Sequence, residues 1–297
     1  MFLHASIHLL LSVLLLLYNS SCSHGESSWF HDMWLPSHGV LYGLEVIKDT
    51  FYGKCTLVIG DSLARRLTGT IYAIMTHPFH EGSNSELELH DQEIDRYIWH
   101  GGHSAYTYDF KHSNHARAGD TCLKFIWAPL LSDINDQHMH SMNFTHCIVS
   151  LGIHDMEEFR LDVNRIRQQL NDTWDVLLRP SDLCVLWRST PYAYMTTNDT
   201  RRQSFFEAVD RNVDAFNVEA RNMFNAKRAM LEYNNTMYHT DHCLPSFIEY
   251  EQSIHSRELG DARLSGDTPE HLSNLARVVL LQEVVYTLLN GSLPNIH

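Results

Sequence analysis

The sequence predicts an α/β fold in which helices cover both faces of a doubly wound parallel sheet. Four short apolar runs rich in β-branched residues have the length of strands. None of them alternates cleanly between polar and apolar residues, and this is the pattern of strands buried on both faces. The runs cover residues 56–59, 123–127, 146–150 and 183–187. Helical patterns follow the first and third runs, and such alternation is typical of a doubly wound sheet.

The helices are predicted from apolar periodicity. One helix spans the apolar positions of 63–75 and another those of 156–170. A long amphipathic helix follows over 205–230, and an apolar helix from about 272 to 289 closes the fold. The stretch 76–117 is rich in His, Gly, Ser and acidic residues and has little periodicity, so it predicts a long loop region near the site.

Length and charge limit the function classes. With 297 residues, of which 44% are hydrophobic, the chain can form one large α/β domain. Its formal net charge is −14, with 22 Lys and Arg against 36 Asp and Glu. Nucleic acid is therefore not an expected partner, because binding to phosphates requires a basic surface.

The amino-terminal segment has the features of a secretory signal. Residues 1–18 contain no Lys, Arg, Asp or Glu and include a leucine-rich run, and small residues follow up to Ser23. The run is shorter than the roughly 20 residues of a membrane span. We therefore expect a signal peptide at 1–23, one domain at 24–297, and no stable membrane span after cleavage. An uncleaved signal anchor is the alternative, and either one places the domain outside the cell or in the lumen of the ER or Golgi.

Glycosylation sequons support passage through the secretory pathway. Chance would give about one or two Asn-x-Ser/Thr sequences in a chain of this size. Beyond the amino-terminal segment the sequence has five, at Asn143, Asn171, Asn198, Asn234 and Asn290.

The six cysteines indicate disulfides and at least one thiol. Cys22 lies in the predicted cleavage region, so the mature domain keeps an odd number. Four of them lie at or near the starts of the apolar runs, and we expect some of these to be buried thiols: Cys55, Cys122, Cys147 and Cys184. The pairing is left open.

The sharpest local motif is Gly60-Asp61-Ser62, at the end of the first predicted strand and directly before a helix. Ligand sites in open α/β sheets lie at the carboxyl ends of strands. At a helix N-terminus, backbone N–H groups and the helix dipole would stabilise the negative charge of an acyl intermediate on Ser62. The alternative is that Ser62 or Asp61 merely caps the helix.

A second motif, Gly152-Ile153-His154-Asp155, ends the third predicted strand. If the two strands are adjacent, the ring N–H of His154 can donate to an oxyanion beside the backbone N–H of Ser62. The alternative is a histidine that belongs only to a turn or a cap.

The third motif lies at the start of the last helix and contains Asp267 and His271. The nucleophile needs an imidazole as its base and an acid that orients this imidazole. The two residues are four apart and share a helix face if the helix begins here. Alternatively, Asp267 and Glu270 form a capping box, with Pro269 in the first turn.

Together these motifs resemble the SGNH hydrolases, in particular the PC-esterase branch that includes the trichome-birefringence-like acyltransferases. The resemblance consists of Gly-Asp-Ser-x-x-Arg ending at Arg65, Gly-x-His ending at His154, the strand with Arg188, and the final Gly-Asp…His-Leu-Ser. It covers about 56–289. It implies a flavodoxin-like three-layer fold and chemistry on O-acylated, commonly O-acetylated, glycans or related esters, without metal or organic cofactor.

The resemblance also implies roles for the individual residues. Ser62 is the nucleophile, His271 the base and Asp267 the acid, although three residues separate the last two where the family has two. The oxyanion hole is formed by Ser62, His154 and Gly152. Two further residues are candidates for substrate binding, namely Arg65 and Arg188.

Other function classes remain open at this point. The same groups serve hydrolysis or, with a sugar hydroxyl as acceptor, acyl transfer. A non-catalytic glycan-binding protein could retain the same fold. A metallophosphoesterase would use Asp61, His154 and Asp155 as metal ligands, but it requires an Asp-x-His before Gly60 that is absent.

Overall fold

A computed structural model describes the following residues: 28–30, 33–35, 42–76, 106–108, 110, 118–139, 144–157, 161–180, 183–190, 200–238, 243–248 and 274–290. The chain divides into two compact units, Met1–Leu41 and Tyr42–His297. Within the first unit, strands β1 (Ser28–Phe30) and β2 (Met33–Leu35) pair antiparallel.

The second unit contains the remaining elements. Its strands are β3 (Cys55–Gly60), β4 (Tyr106–Tyr108), β5 (Cys122–Trp127), β6 (His146–Ser150), β7 (Cys184–Arg188) and β8 (Ser246–Ile248). Its helices are α1 (Leu44–Phe51), α2 (Ser62–Thr76), α3 (Asp136–Met139), α4 (Val163–Leu177), α5 (Thr200–Tyr238) and α6 (Asn274–Asn290). Short 3-10 helices cover Ala118–Asp120, Leu131–Asp133 and His154–Met156.

The sheet has the order β4-β5-β3-β6-β7-β8. Five strands run parallel, and β4 joins the edge antiparallel to β5. Numbered along the chain, the parallel strands follow the order 2-1-3-4-5 of flavodoxin-like folds. The predicted doubly wound α/β fold is confirmed.

Helices cover both faces of the sheet because successive strand residues point to opposite sides. Leu57 and Ile59 of β3 pack with α4 and α5, whereas Val58 between them packs with α1, α2 and α6. All three side chains are fully buried, and each such side chain stabilises the fold by roughly 1.5–3 kcal/mol. This two-sided burial explains why the strands lack alternation.

The predicted helices are confirmed, but several of their boundaries differ: α5 extends beyond the predicted 205–230 at both ends, and α4 begins and ends later than predicted. The helix expected from Met156 begins at Val163, because the carboxylate of Asp162 accepts the backbone N–H groups of Asn164 and Arg165 and so caps the helix there. Met156 is nevertheless fully buried, at the end of a 3-10 turn. The periodic apolar positions therefore belong to two separate elements, the 3-10 turn and α4.

Two further differences concern the sheet edges. The region 76–117 was expected to be a loop, but it contains β4, whose Tyr106–Tyr108 pair with β5. The three-residue strand β8 and helix α1 were not predicted. Strand β4 pairs with β5 and strand β8 pairs with β7, each at an edge of the sheet. Each has three residues, which is too short for the pattern of apolar residues to identify a strand.

The cysteines in the described part of the chain form two disulfides, Cys55–Cys122 and Cys184–Cys243. The first joins the amino ends of the adjacent strands β3 and β5. Cys147 is a buried thiol, and burial raises its pKa. The expectation that some of the strand cysteines are buried thiols is confirmed by Cys147, whereas Cys55, Cys122 and Cys184 each have a disulfide partner. Two disulfides fit a protein that folds in an oxidising compartment.

Among the residues that the structure describes, no helix is both long and apolar enough to cross a membrane. The predicted signal peptide, 1–23, lies outside them, as do Asn143 and Asn198. The other three sequon asparagines lie on helices: Asn171 on α4, Asn234 on α5 and Asn290 at the end of α6.

Candidate functional site

The candidate site lies where the sheet order changes direction. From β3 the chain proceeds to β5 on one side and then crosses to β6 on the other. The carboxyl ends of β3 and β6 therefore border the crevice in which open α/β sheets bind ligands. The motifs that contain Ser62 and His154 follow these two strands directly.

Gly60 allows the ends of β3 and β6 to approach closely. It pairs with Ser150 in the parallel register, and its φ angle is +153°. A Cβ here would clash with the Ser150 carbonyl and lie 2.8 Å from Cβ of Ala64. The carbonyl of Gly60 accepts the N–H of Ala128 at 3.0 Å, which ties the same point to the segment after β5.

Asp61, rather than Ser62, caps helix α2. Its Oδ1 accepts the N–H of Leu63 at 2.9 Å, and its backbone carbonyl accepts the N–H of Arg65 at 3.0 Å. Ser62 is the first helical residue and is half-buried. Because N–H groups of the first turn have no carbonyl partner within the helix, Ser62 contributes a donor at the positive end of the helix dipole. The capping role proposed for Ser62 or Asp61 belongs to Asp61.

The His154 ring contacts two aromatic side chains. Trp127, at the end of β5, contacts it edge-on with ring centroids 6.4 Å apart, and Phe205 of α5 lies at 6.2 Å. The guanidinium of Arg65 lies 5.6 Å from the centre of the Trp127 ring. These contacts place the imidazole at the carboxyl edge of the sheet, and they place Arg65 in the same cluster as a half-buried residue stacked on Trp127.

Gly152 is required by packing on helix α5. Its φ angle is +122°, and a Cβ would clash with the Thr190 hydroxyl and lie 2.5 Å from the Phe216 ring. The Thr190 hydroxyl donates to the carbonyl of Leu151. The Asn217 side chain holds Thr190 in turn, because it accepts the Thr190 N–H and donates to the Thr190 carbonyl, both at 2.8 Å. Helix α5 thus fixes the segment that leads to His154.

Charged side chains at the carboxyl ends of β3, β6 and β7 interact with one another. Burial raises the pKa of the Asp61 carboxyl, while the charge of His154, hydrogen bonds from the N–H groups of Leu63 and Ala64, and the charge of Arg188 oppose this. Asp61 and Arg188 are only 1% and 2% exposed. Arg188 therefore acts on Asp61 from a buried position at the end of β7.

Asp155 follows His154 and links two loops. Both of its carboxylate oxygens lie 3.2 Å from the backbone N–H of Leu131, which they accept. Burial raises its pKa to about 7; the Leu131 N–H and Arg165 lower it, and the charges of Asp133 and Asp61 raise it. A cavity of about 400 Å³ opens beside Asp155 and His154.

The structure brings several of the predicted residues together and leaves others outside its description. Ser62, Gly152 and His154 lie at the ends of adjacent strands. Asp267 and His271 lie outside the described residues. Within the described ranges, no group of three or more His, Cys, Asp or Glu side chains is arranged to hold a metal ion.

Sequence reasoning missed the residues that support the site. Trp127 ends a predicted strand, so its position at the carboxyl edge could have been inferred. Phe205 and Asn217 come from a helix distant in sequence, and no sequence signal places them there. Asp155 was visible next to His154, but its raised pKa depends on burial that only the fold reveals.

No protein-family model matches the chain, and neither does any curated protein sequence. The functional interpretation therefore rests on the residues at the carboxyl edge of the sheet.

Proposed function

We propose that the chain is a serine acyl esterase, or an acyltransferase that uses the same groups, acting on O-acylated, most commonly O-acetylated, glycans or related esters. The observation that carries this proposal is the position of Ser62. It is the first residue of α2, at the switch point of the sheet, and the neighbouring strand ends in Gly152 and His154. A nucleophile and an oxyanion donor are required at adjacent strand ends in such a reaction.

A chemical role for Ser62 is supported by the fact that Asp61, and not Ser62, caps helix α2. Asp61 supplies the cap that the helix needs, so the Ser62 hydroxyl is not required for this purpose. Burial also raises the pKa of the Asp61 carboxyl, and the nearby charges of His154 and Arg188 lower it. Buried charged groups with shifted pKa values cluster at functional sites more often than elsewhere.

In the proposed acylation step, Ser62 Oγ attacks the acyl carbonyl carbon while His271, oriented by Asp267, takes the hydroxyl proton. The carbonyl oxygen becomes an oxyanion that accepts N–H bonds from the Ser62 backbone and the His154 ring, with Gly152 shaping the same turn. The bond to the alcohol then breaks, and the alcohol leaves with the proton from His271.

In the second step, water or a sugar hydroxyl attacks the acyl-enzyme and gives its proton to His271. The new oxyanion collapses, the acyl group leaves Ser62 as an acid or as a new ester, and Ser62 regains its proton. Hydrolase and transferase differ only in which hydroxyl reaches the acyl carbon. The proposed reaction uses no metal or organic cofactor.

We place this chemistry in the secretory pathway, either in the lumen of the ER or Golgi or outside the cell. The leucine-rich start and the five sequons support this location. The two disulfides fit it as well.

A fluorophosphonate probe tests the proposal, because it reacts with activated serines. We expect labelling of the folded protein at Ser62, loss of labelling in Ser62→Ala, and full labelling of the control variant Ser204→Ala, whose serine is exposed on α5. A folded protein that does not react with the probe would favour the non-catalytic glycan-binding protein. Labelling that survives Ser62→Ala would move the nucleophile elsewhere.

A further inference from the structure

The cavity beside His154 has the size of a binding site for a small ring. Its volume of about 400 Å³ falls at the lower end of the range of roughly 300–1,000 Å³ for small-molecule pockets. It lies between the 3-10 turn Leu131–Asp133, the residues after β6 and the first turns of α4. His154 and Asp155 line it, and His154 is also the candidate oxyanion donor.

The cavity lining combines hydrogen-bond donors with acceptors. Asp155 and Glu157 offer carboxylate oxygens, while Arg165 and Gln169 offer N–H groups from one side of α4. Apolar side chains, including Ile166, line the space between them. Hydroxyl groups both donate and accept, and the ring that carries them has apolar C–H faces. A hydroxyl-bearing ring therefore matches this lining better than a purely apolar ligand does.

Two features make the cavity unfavourable for an anion. The N-terminus of α4 would otherwise attract negative charge, but the Asp162 carboxylate already accepts the N–H groups of Asn164 and Arg165 there. Burial and neighbouring carboxylates also raise the pKa of Asp155 to about 7, so the surroundings already disfavour its own negative charge. An anionic ligand in the cavity would lie among the carboxylates of Asp155, Glu157 and Asp162, which outnumber the single arginine of the lining, Arg165.

We propose that this cavity binds an uncharged, hydroxyl-bearing ring of about pyranose size and discriminates against an anionic ring of the same size. In the reaction, this ring would be the alcohol part of the ester or the acceptor. That placement rests on the proposed function, whereas binding and charge selectivity do not.

Equilibrium binding to the full-length protein tests the proposal with two probes of matched size, methyl β-glucoside and methyl β-glucuronide. Saturation-transfer NMR titrations at pH 7 should show that the neutral glucoside binds at least about tenfold more tightly than the anionic glucuronide, a modest ratio for one like-charge contact. Equal binding, tighter binding of the glucuronide, or no binding of either probe to folded protein would overturn the proposal.

Matched variants on α4 locate the binding. Gln169 is half-buried in the cavity wall, whereas its neighbour Gln168 is exposed and donates to Asp172 at 2.7 Å. Gln169→Trp should fill the cavity and lower glucoside affinity at least about tenfold, while Gln168→Trp leaves it unchanged. Gln169→Ala provides a second variant that adds no bulk and should weaken binding by severalfold. Equal effects at the two positions would contradict the assignment.

The Ser62→Ala protein separates this inference from the proposed function. It should bind the glucoside as tightly as the original protein does. If the charge selectivity persists while no serine reacts with a fluorophosphonate, the ester chemistry fails and the binding site stands. If Ser62 reacts but neither sugar binds, the reverse holds.

Discussion

The carboxylate of Asp61 accepts the backbone N–H of Leu63 at 2.9 Å and so caps the helix that begins with Ser62. Loss of a capping side chain costs about 0.5–2 kcal/mol, whereas a substitution that removes no cap or core contact usually changes stability by less than about 0.5 kcal/mol. The two neighbouring positions therefore differ in what a substitution should remove.

We predict that Asp61→Ala lowers the free energy of unfolding by about 1 kcal/mol or more, while Ser62→Ala changes it by less than about 0.5 kcal/mol and abolishes esterase turnover. Urea denaturation of both variants, together with an ester assay, makes the comparison. Equal destabilisation by the two substitutions would indicate that the Ser62 side chain also caps the helix.

The packing of Gly152 predicts a large effect from a single methyl group. In Gly152→Ala the new Cβ meets the Thr190 hydroxyl and the Phe216 ring at a φ of +122°. Overpacking costs about 1–3 kcal/mol, and a left-handed backbone without glycine about 1–2 kcal/mol more. Gly119→Ala is the control, because a Cβ there has no atom within 4 Å. Thermal unfolding should show a clear loss for the first variant only, and similar melting temperatures would contradict the packing account.

His154 should act mainly in the transition state. His154→Ala is expected to lower the acylation rate roughly a hundredfold or more, with a much smaller change in substrate binding. Activity of the original protein should persist in a strong chelator, because His154 donates an N–H and does not bind a metal in this proposal. Single-turnover kinetics measure the rate. Stoichiometric zinc or manganese that is lost together with activity in His154→Ala would favour the metallophosphoesterase instead.

The raised pKa of Asp155 predicts how stability depends on pH. A carboxyl with a pKa of about 7 in the folded protein and near 3.8 when unfolded stabilises the fold through its bound proton. This contribution is complete below pH 3.8 and is lost as pH rises to about 7. Asp155→Asn can still accept the Leu131 N–H but does not ionise. The variant should therefore gain stability relative to the original protein between about pH 4 and 7 and keep this advantage at pH 8.

Urea denaturation of both proteins across that pH range measures the difference directly. Asp61 also has a raised pKa, but it is present in both proteins and cancels to first order in the comparison. A difference in free energy of unfolding that stays constant from pH 4 to pH 8 would mean that Asp155 does not titrate in this window.

The sequence allowed the four central strands of the sheet to be predicted to within one residue at each end, whereas the edge strands β4 and β8 were missed. The reason is physical: β3, β5, β6 and β7 are buried, so their apolar runs begin and end where the strands do. Boundaries that depend on one side chain were missed. Asp162 caps α4, and this bond separates two apolar segments that otherwise form one helical pattern.

The candidate site was partly predictable for the same reason. Ser62 and His154 follow strands that could be recognised, and the topology of parallel sheets brings neighbouring carboxyl ends together. The aromatic contacts of His154, the clamp of Asn217 on Thr190 and the raised pKa of Asp155 depend on residues distant in sequence. Such contacts follow from packing across the whole fold.

Trapping of the acyl-enzyme tests the central claim, that Ser62 carries the acyl group, most directly. The protein is mixed with an activated acetyl ester, quenched in acid during the first turnover, digested and analysed by peptide mass spectrometry. We predict a single acetyl group on Ser62, strongly reduced in His271→Ala and absent in Ser62→Ala. An acetyl group on another residue, or turnover of the ester by the folded Ser62→Ala protein, would contradict this account.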